Sequence, residues 1–161
     1  MTEPKAMTET TRRPFLPPRW VIRLAWALHR AIYRVTGGRR GLRPPTAATY
    51  GLMRIHTIGR QSGAKRVAIL GYYEDGPNLY TLAMNGWGEP EPAWWLNLQA
   101  NPNAAVDLPD GPRAIHARAA AGEERERLWA EMRRKEPNLD GYAERCPTET
   151  AVVVFEPRQV A

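Results

Sequence analysis

The chain has one cysteine, Cys146, among 161 residues, so it can form neither an internal disulfide nor a cysteine-based zinc site. A lone cysteine fits a reducing cytoplasm. Its three histidines, His29, His56 and His116, are scattered without metal-ligand spacing, and structural or exposed roles are expected of them. No apolar run approaches the roughly 18 residues of a spanning helix. The N-terminus lacks the continuous apolar core of a signal peptide. These absences set the expectation of a cytoplasmic protein, with association at a membrane surface left open. There is no Gly-x-Ser-x-Gly elbow, no Walker loop and no His-Glu-x-x-His. Without a nucleophile, base or metal constellation, any enzymatic chemistry must come from a bound organic cofactor.

What the chain has is positive charge. Lys and Arg number 23 against 17 Asp and Glu, a net charge of +6. That balance favours an anionic partner: nucleic acid, a phosphate-bearing ligand or a membrane surface. Nucleic acid is set aside, because neither an RNA-binding aromatic signature nor a DNA-reading motif accompanies the arginines. The length suits one domain with a real core, taken as residues 19–161, after a disordered or extended segment at 1–18.

From Arg19 to Thr36 the apolar residues Val21, Leu24, Ala25, Leu28, Ala31, Ile32 and Val35 follow helical spacing. Arg19, Arg23, Arg30 and Arg34 fall on roughly the opposite face. Such a helix either covers one end of the domain with its arginines solvated or touches a membrane surface or a partner. Strands are expected at 50–57, 66–73 and 79–84, joined by connections too short for parallel crossovers. A short helix at 91–100 precedes a hairpin of strands 104–108 and 113–119. A charged helix at 123–135, with Leu128, Trp129 and Met132 inward, precedes a short helix at 138–145. The β-branched run 150–155 reads as a final, buried strand. Together these suggest an α+β domain around a small antiparallel barrel.

Three places could carry chemistry, all between Thr57 and Asn101. Arg60, Lys65 and Arg66 surround a turn at Ser62-Gly63, which is either an anion cradle or a solvated hairpin turn. Asn85-Gly86-Trp87-Gly88 is either a turn that lets a ligand approach the backbone or a plain loop after a strand. Trp94 and Trp95 begin a helix whose free amides could meet an anion. Either both indoles are core, or one faces a flat ring.

Thr57-x-Gly59-Arg60-x-Ser62-Gly63-x-x-Arg66, Ala83-Met84-Asn85-Gly86 and Pro92-x-Trp94-Trp95-Leu96-Asn97-Leu98-x-Ala100-Asn101-Pro102 resemble the deazaflavin-dependent nitroreductase family of actinobacteria. The resemblance covers roughly Arg19 to Pro157. It implies a split β-barrel like that of the flavin-reductase and pyridoxamine-oxidase relatives, with an N-terminal amphipathic helix and short covering helices. It implies coenzyme F420, a reduced deazaflavin with a phosphate and an oligoglutamate tail, in preference to FMN. By that resemblance Arg60, Ser62, Gly63, Lys65, Arg66 and Val67 would contact the phospholactyl part or the deazaflavin edge. Met84, Asn85 and Gly86 would approach the ring through their backbone, and Trp94, Trp95 and Asn97 would lie near the tail. Tyr142 would donate a proton or line the pocket, and Trp87 is a lid candidate. Asn85 stands where such nitroreductases often carry lysine. Tyr142 is the one tyrosine kept in a segment where they have several, which leaves the substrate open.

The implied reaction is hydride transfer from the deazaflavin C5 to a small electron-poor acceptor such as a quinone or an activated double bond. The alternative is a non-catalytic cofactor- or lipid-quinone-binding protein at the membrane surface. Peripheral membrane contact through residues 19–36, and either a monomer or a homodimer, complete the expectations.

Overall fold

A computed structural model describes residues 18, 20–21, 24, 28, 31, 41–47, 49–84 and 90–159. The expected disorder at 1–17 and the site residues Asn85, Gly86 and Trp87 lie outside them.

Six strands form the frame: β1 (Gly51–Ile58), β2 (Lys65–Asp75), β3 (Asn78–Leu82), β4 (Asn103–Leu108), β5 (Gly111–Ala119) and β6 (Val152–Pro157). They close into a barrel in the order β1-β2-β3-β6-β5-β4, and every neighbouring pair is antiparallel. β1 shows the cause locally. Gly51, Met53, Ile55 and Thr57 are buried, and their alternate neighbours are less so. Side chains that alternate across a strand put one apolar set inside a barrel.

Among the fully described segments, three helices pack with these strands: α1 (Ala93–Ala100), α2 (Gly122–Lys135) and α3 (Leu139–Ala143). Trp94, Trp95 and Leu98 of α1 join the interior core with Met53, Ile55, Val106, Ile115 and Phe155. Leu128, Met132 and Leu139 of α2 and α3 form a second core outside the barrel with Tyr80, Val152 and Val154. This explains the unbroken apolar run of β6. Val153 and Phe155 face the interior while Val152 and Val154 lie under α2, so both faces of the strand are dry. Glu123 and Glu124 open α2 and Arg133, Arg134 and Lys135 close it, in accord with its dipole. Arg118 of β5 reaches both Glu124 of α2 and Glu156 of β6. Arg127 of α2 donates to Asp75 of β2 through two hydrogen bonds of 3.0 and 2.7 Å.

Residues 20, 21, 24, 28 and 31 are helical, as expected. Trp20, Leu24 and Leu28 are 68, 60 and 61% exposed, so at these positions the apolar stripe is not covered by the barrel. No helix among the described residues is long and apolar enough to cross a membrane.

Candidate functional site

The chain direction brings the expected site to one end of the barrel. β1 runs up to the turn 59–64, β2 runs down from it, β3 runs up to Met84, and β4 starts downward directly after α1. The turn, the exit of β3 and α1 therefore share that end.

The turn is held from within. The Gly59 N–H donates to the Ala64 carbonyl and the Gly63 N–H to the Gly59 carbonyl, both at 2.8 Å. Gly63 has φ +65°, a left-handed conformation that favours glycine. A Cβ on Gly59 would lie 2.8 Å from Ser62 Oγ, so a side chain there would push the Ser62 hydroxyl out of its place in the turn. Ser62 Oγ accepts from the Ala64 N–H at 3.3 Å and from an Arg66 guanidinium N–H at 3.5 Å. Asn97 of α1, 5% exposed, braces the turn from below. Its Oδ1 accepts from the Arg60 N–H at 3.1 Å, and its Nδ2 donates to Thr57 Oγ1 at 3.3 Å. Both ends of this amide are engaged inside the protein, which makes Asn97 a positioning residue for the turn.

The cations themselves are uncommitted. Arg60 and Lys65 are exposed, with neither an ion pair nor a side-chain hydrogen bond among the described residues. Arg66 donates to the neutral Ser62 hydroxyl and has no acidic partner among the described residues. Strand alternation then divides the basic run. Arg66 pairs with the inward Thr57. Lys65 pairs with Ile58 and Val67 with His56, on the outer face. Val67 is 56% exposed there.

Between β2 and β3 the barrel is open at this end. β2 pairs with β1 from Lys65 to Tyr72 but with β3 only at Tyr73, Glu74 and Asp75. Thr81 Oγ1 donates to the Gly71 carbonyl at 2.6 Å, just above the last rung. β3 stays with β6 beyond that point: the Ala83 N–H donates to the Ala151 carbonyl at 2.9 Å, continuing the β3–β6 ladder. Among the described residues, the upper edge of β2 has no strand partner on its β3 side. Met84, after β3, packs against the outer core with Tyr73, Leu82 and Trp129.

Trp94 and Trp95 are both buried, at 8 and 5% exposure. Of the two alternatives open from the sequence, this is the one in which both indoles are core. Trp95 Nε1 is a buried donor without a hydrogen-bond acceptor among the described residues. Tyr142 lies on α3 and is half-buried.

The sequence reading missed a polar cluster. Asp107 Oδ2 accepts from Arg54 Nε at 2.6 Å and lies 2.9 Å from His56 Nε2. Burial alone would raise the Asp107 carboxyl, but the hydrogen bonds from His56 and Arg54 hold it below the usual carboxylate range. Arg54 and His56 alternate along one strand, which the sequence does reveal. Their partner is 51 residues beyond His56, on β4, and only the register supplies it. Among the described residues no group of three or more metal-ligating side chains gathers.

The family profile described as F420H2-dependent quinone reductase matches residues 26–157. An F420H2-dependent quinone reductase of Mycobacterium tuberculosis (strain H37Rv) is 32% identical over 136 residues, which cover 81% of this chain and 89% of the relative. Among solved structures, an F420-H2 dependent reductase termed FDR-A is similar with a TM-score of 0.58 and 28% identity, over 65% of this chain and 93% of that one. A second, described as a domain-swapped dimer, is similar with a TM-score of 0.60 and 28% identity, over 86% and 98%.

Proposed function

Because the chain belongs to the F420H2-dependent quinone reductase family, we propose that it is an oxidoreductase that reduces quinones with coenzyme F420. The family match across residues 26–157 carries this reading, and the local chemistry supports it. The phosphate and carboxylates of the coenzyme need cations, and Arg60, Lys65 and Arg66 have no acidic partner among the described residues. A flat ring needs an open, partly apolar edge, and the upper edge of β2 beside Met84 is one. The open space where a Gly63 Cβ would lie keeps the turn accessible. The residues present fit the group.

In this reading Arg60, Lys65 and Arg66 hold the anionic part, with Ser62 and Gly63 shaping the turn and Asn97 fixing it. Val67 and Met84 border the ring system, and Asn85 and Gly86 complete the border through their backbone. Trp94 and Trp95 support the end of the barrel from inside. Tyr142 lines the acceptor side. The bound coenzyme supplies the hydride. The protein contributes orientation and a binding surface of fixed charge.

The test is a comparison of F420 and FMN on the purified protein by fluorescence titration. F420 is expected to bind at micromolar concentration, with FMN weaker. Tighter FMN binding would overturn the cofactor assignment. Steady-state reduction of a quinone by the reduced coenzyme would reject the non-catalytic alternative.

The exposed stripe Trp20, Leu24 and Leu28 favours a second, compatible reading: peripheral contact with an anionic membrane. An amphipathic basic helix lies in the headgroup region with its apolar side inward. The full chain is expected to float with liposomes containing anionic lipid, and a Trp20→Ser, Leu24→Ser, Leu28→Ser variant to stay behind. Equal flotation of the two would remove the helix from any membrane role.

A further inference from the structure

The foot of the opening between β2 and β3 carries a surface that the coenzyme cradle does not use. Leu70 and Tyr72 belong to the barrel interior, so Gly71 between them faces outward with no side chain. It stands just above Tyr73, where the pairing of β2 with β3 ends. The ring of Tyr50, the residue before β1, covers this bare glycine: a Cβ on Gly71 would lie 2.9 Å from Tyr50 Cδ2. Tyr50 is nevertheless 47% exposed, and Arg43 lies over its ring, 5.2 Å from the centroid. Beside it on the same face, Tyr73 has Lys135 of α2 over its ring at 4.0 Å. Neither cation has an acidic partner among the described residues. The carboxylate whose charge reaches Tyr73 is Glu136. Tyr73 shares the outer core with Leu139 of α3, the helix that also carries Tyr142. The foot therefore lies toward α3 and below the level of Val67 and Met84.

From this juxtaposition we propose that the acceptor ring lodges against Tyr50 and Tyr73 and that Tyr50, recessed on Gly71, is the wall that sets how large a quinone enters. The proposal rests on the quinone reductase reading. Gly71 lets the tyrosine sink onto the strand, which leaves room in front of its ring. Two neighbouring tyrosines suit a flat ring system. A quinone that takes up a hydride becomes a hydroquinone anion, and one proton from solvent completes the hydroquinone. Arg43 and Lys135 favour the negative charge that the quinone gains. The rival role for Tyr50 is structural, since an aromatic ring that covers a strand glycine can serve stability alone.

The experiment uses the full chain, F420, and two acceptor probes: 1,4-benzoquinone with one ring and 2-methyl-1,4-naphthoquinone with two. The protein is labelled with 3-fluorotyrosine, and the Tyr50 resonance is identified by its loss in Tyr50→Phe. Adding the naphthoquinone to the complex with oxidised F420 should shift that resonance. Tyr72, 2% exposed inside the barrel, should stay in place as the internal reference. Steady-state kinetics with the reduced coenzyme then gives kcat/KM for each quinone. Tyr50→Ala removes the wall and should raise the ratio of two-ring to one-ring kcat/KM on the order of tenfold. Gly71→Ala pushes the Tyr50 ring outward and should lower that ratio. F420 titration should be unchanged in both variants. A purely structural Tyr50 would lower both quinones together and leave the ratio in place. That result in Tyr50→Ala, or a Tyr50 resonance unmoved at saturating quinone, overturns the proposal. Failure of the wild-type protein to bind F420, or to reduce either quinone, overturns the quinone reductase reading itself, and this proposal with it.

Discussion

Phe155→Ala is expected to destabilise the protein by about 3–5 kcal/mol, the range for deleting a fully buried aromatic ring. Phe155 is 0% exposed and points inward from β6, the strand between β3 and β5. Its ring centroid lies 6.4 Å from that of Trp94, so it joins the barrel interior to the helix that closes the site end. Its neighbours on the sheet, Leu79 and Ala117, are held by backbone pairing and cannot move in to fill the void. Set against the roughly 5–15 kcal/mol of a typical domain, such a loss consumes much of the stability. Urea denaturation followed by tryptophan fluorescence measures it directly. A midpoint within error of the wild type would show that Phe155 is not central to the core.

The second large effect concerns the cradle. Arg60→Ala and Arg66→Ala are each expected to weaken F420 binding by about 1–3 kcal/mol, the span of hydrogen bonds that involve a charged group. That is about fivefold to 150-fold in affinity. The two should differ in their effect on the free protein. Arg60 has no side-chain partner among the described residues, so its loss should leave the melting temperature unchanged. Arg66 donates to Ser62, so its loss removes one of the contacts within the turn. Because the contribution is electrostatic, the wild-type affinity should fall with added salt and the variants should respond less. Titrations at two salt concentrations check both points. Unchanged affinity in both variants would remove the cradle from the mechanism.

Most of the frame was legible because its causes are local. Period-two burial in β1, the Glu-Asp-Gly-Pro-Asn turn before β3 and the charge order of α2 each belong to one stretch of chain. The basic turn was legible for the same reason, since glycine and serine at fixed spacing define its shape. Features that depend on register were not. The sequence did not show that the strand sends Arg66 to one face and its neighbours Lys65 and Val67 to the other. It placed Asn97 near the coenzyme tail but gave no sign that both ends of its amide brace the basic turn. It gave no sign that Asp107 meets His56, because that contact forms only when β4 closes the barrel against β1. The opening between β2 and β3 was equally hidden. It arises because β3 stays paired with β6 up to Ala83 while its pairing with β2 ends at Tyr80, and no residue in β2 announces it.

That opening has a consequence for solution behaviour. An unpaired strand edge is a template on which a second chain can add, and proteins guard such edges with charge. Here the residues at the tip of that edge are Lys65 and Arg66, the same cations proposed to hold the coenzyme. Neutralising them to test that proposal would also strip a gatekeeper from the edge. If the cradle proposal holds, the basic tip has two duties at once: recruiting an anion and discouraging strand addition.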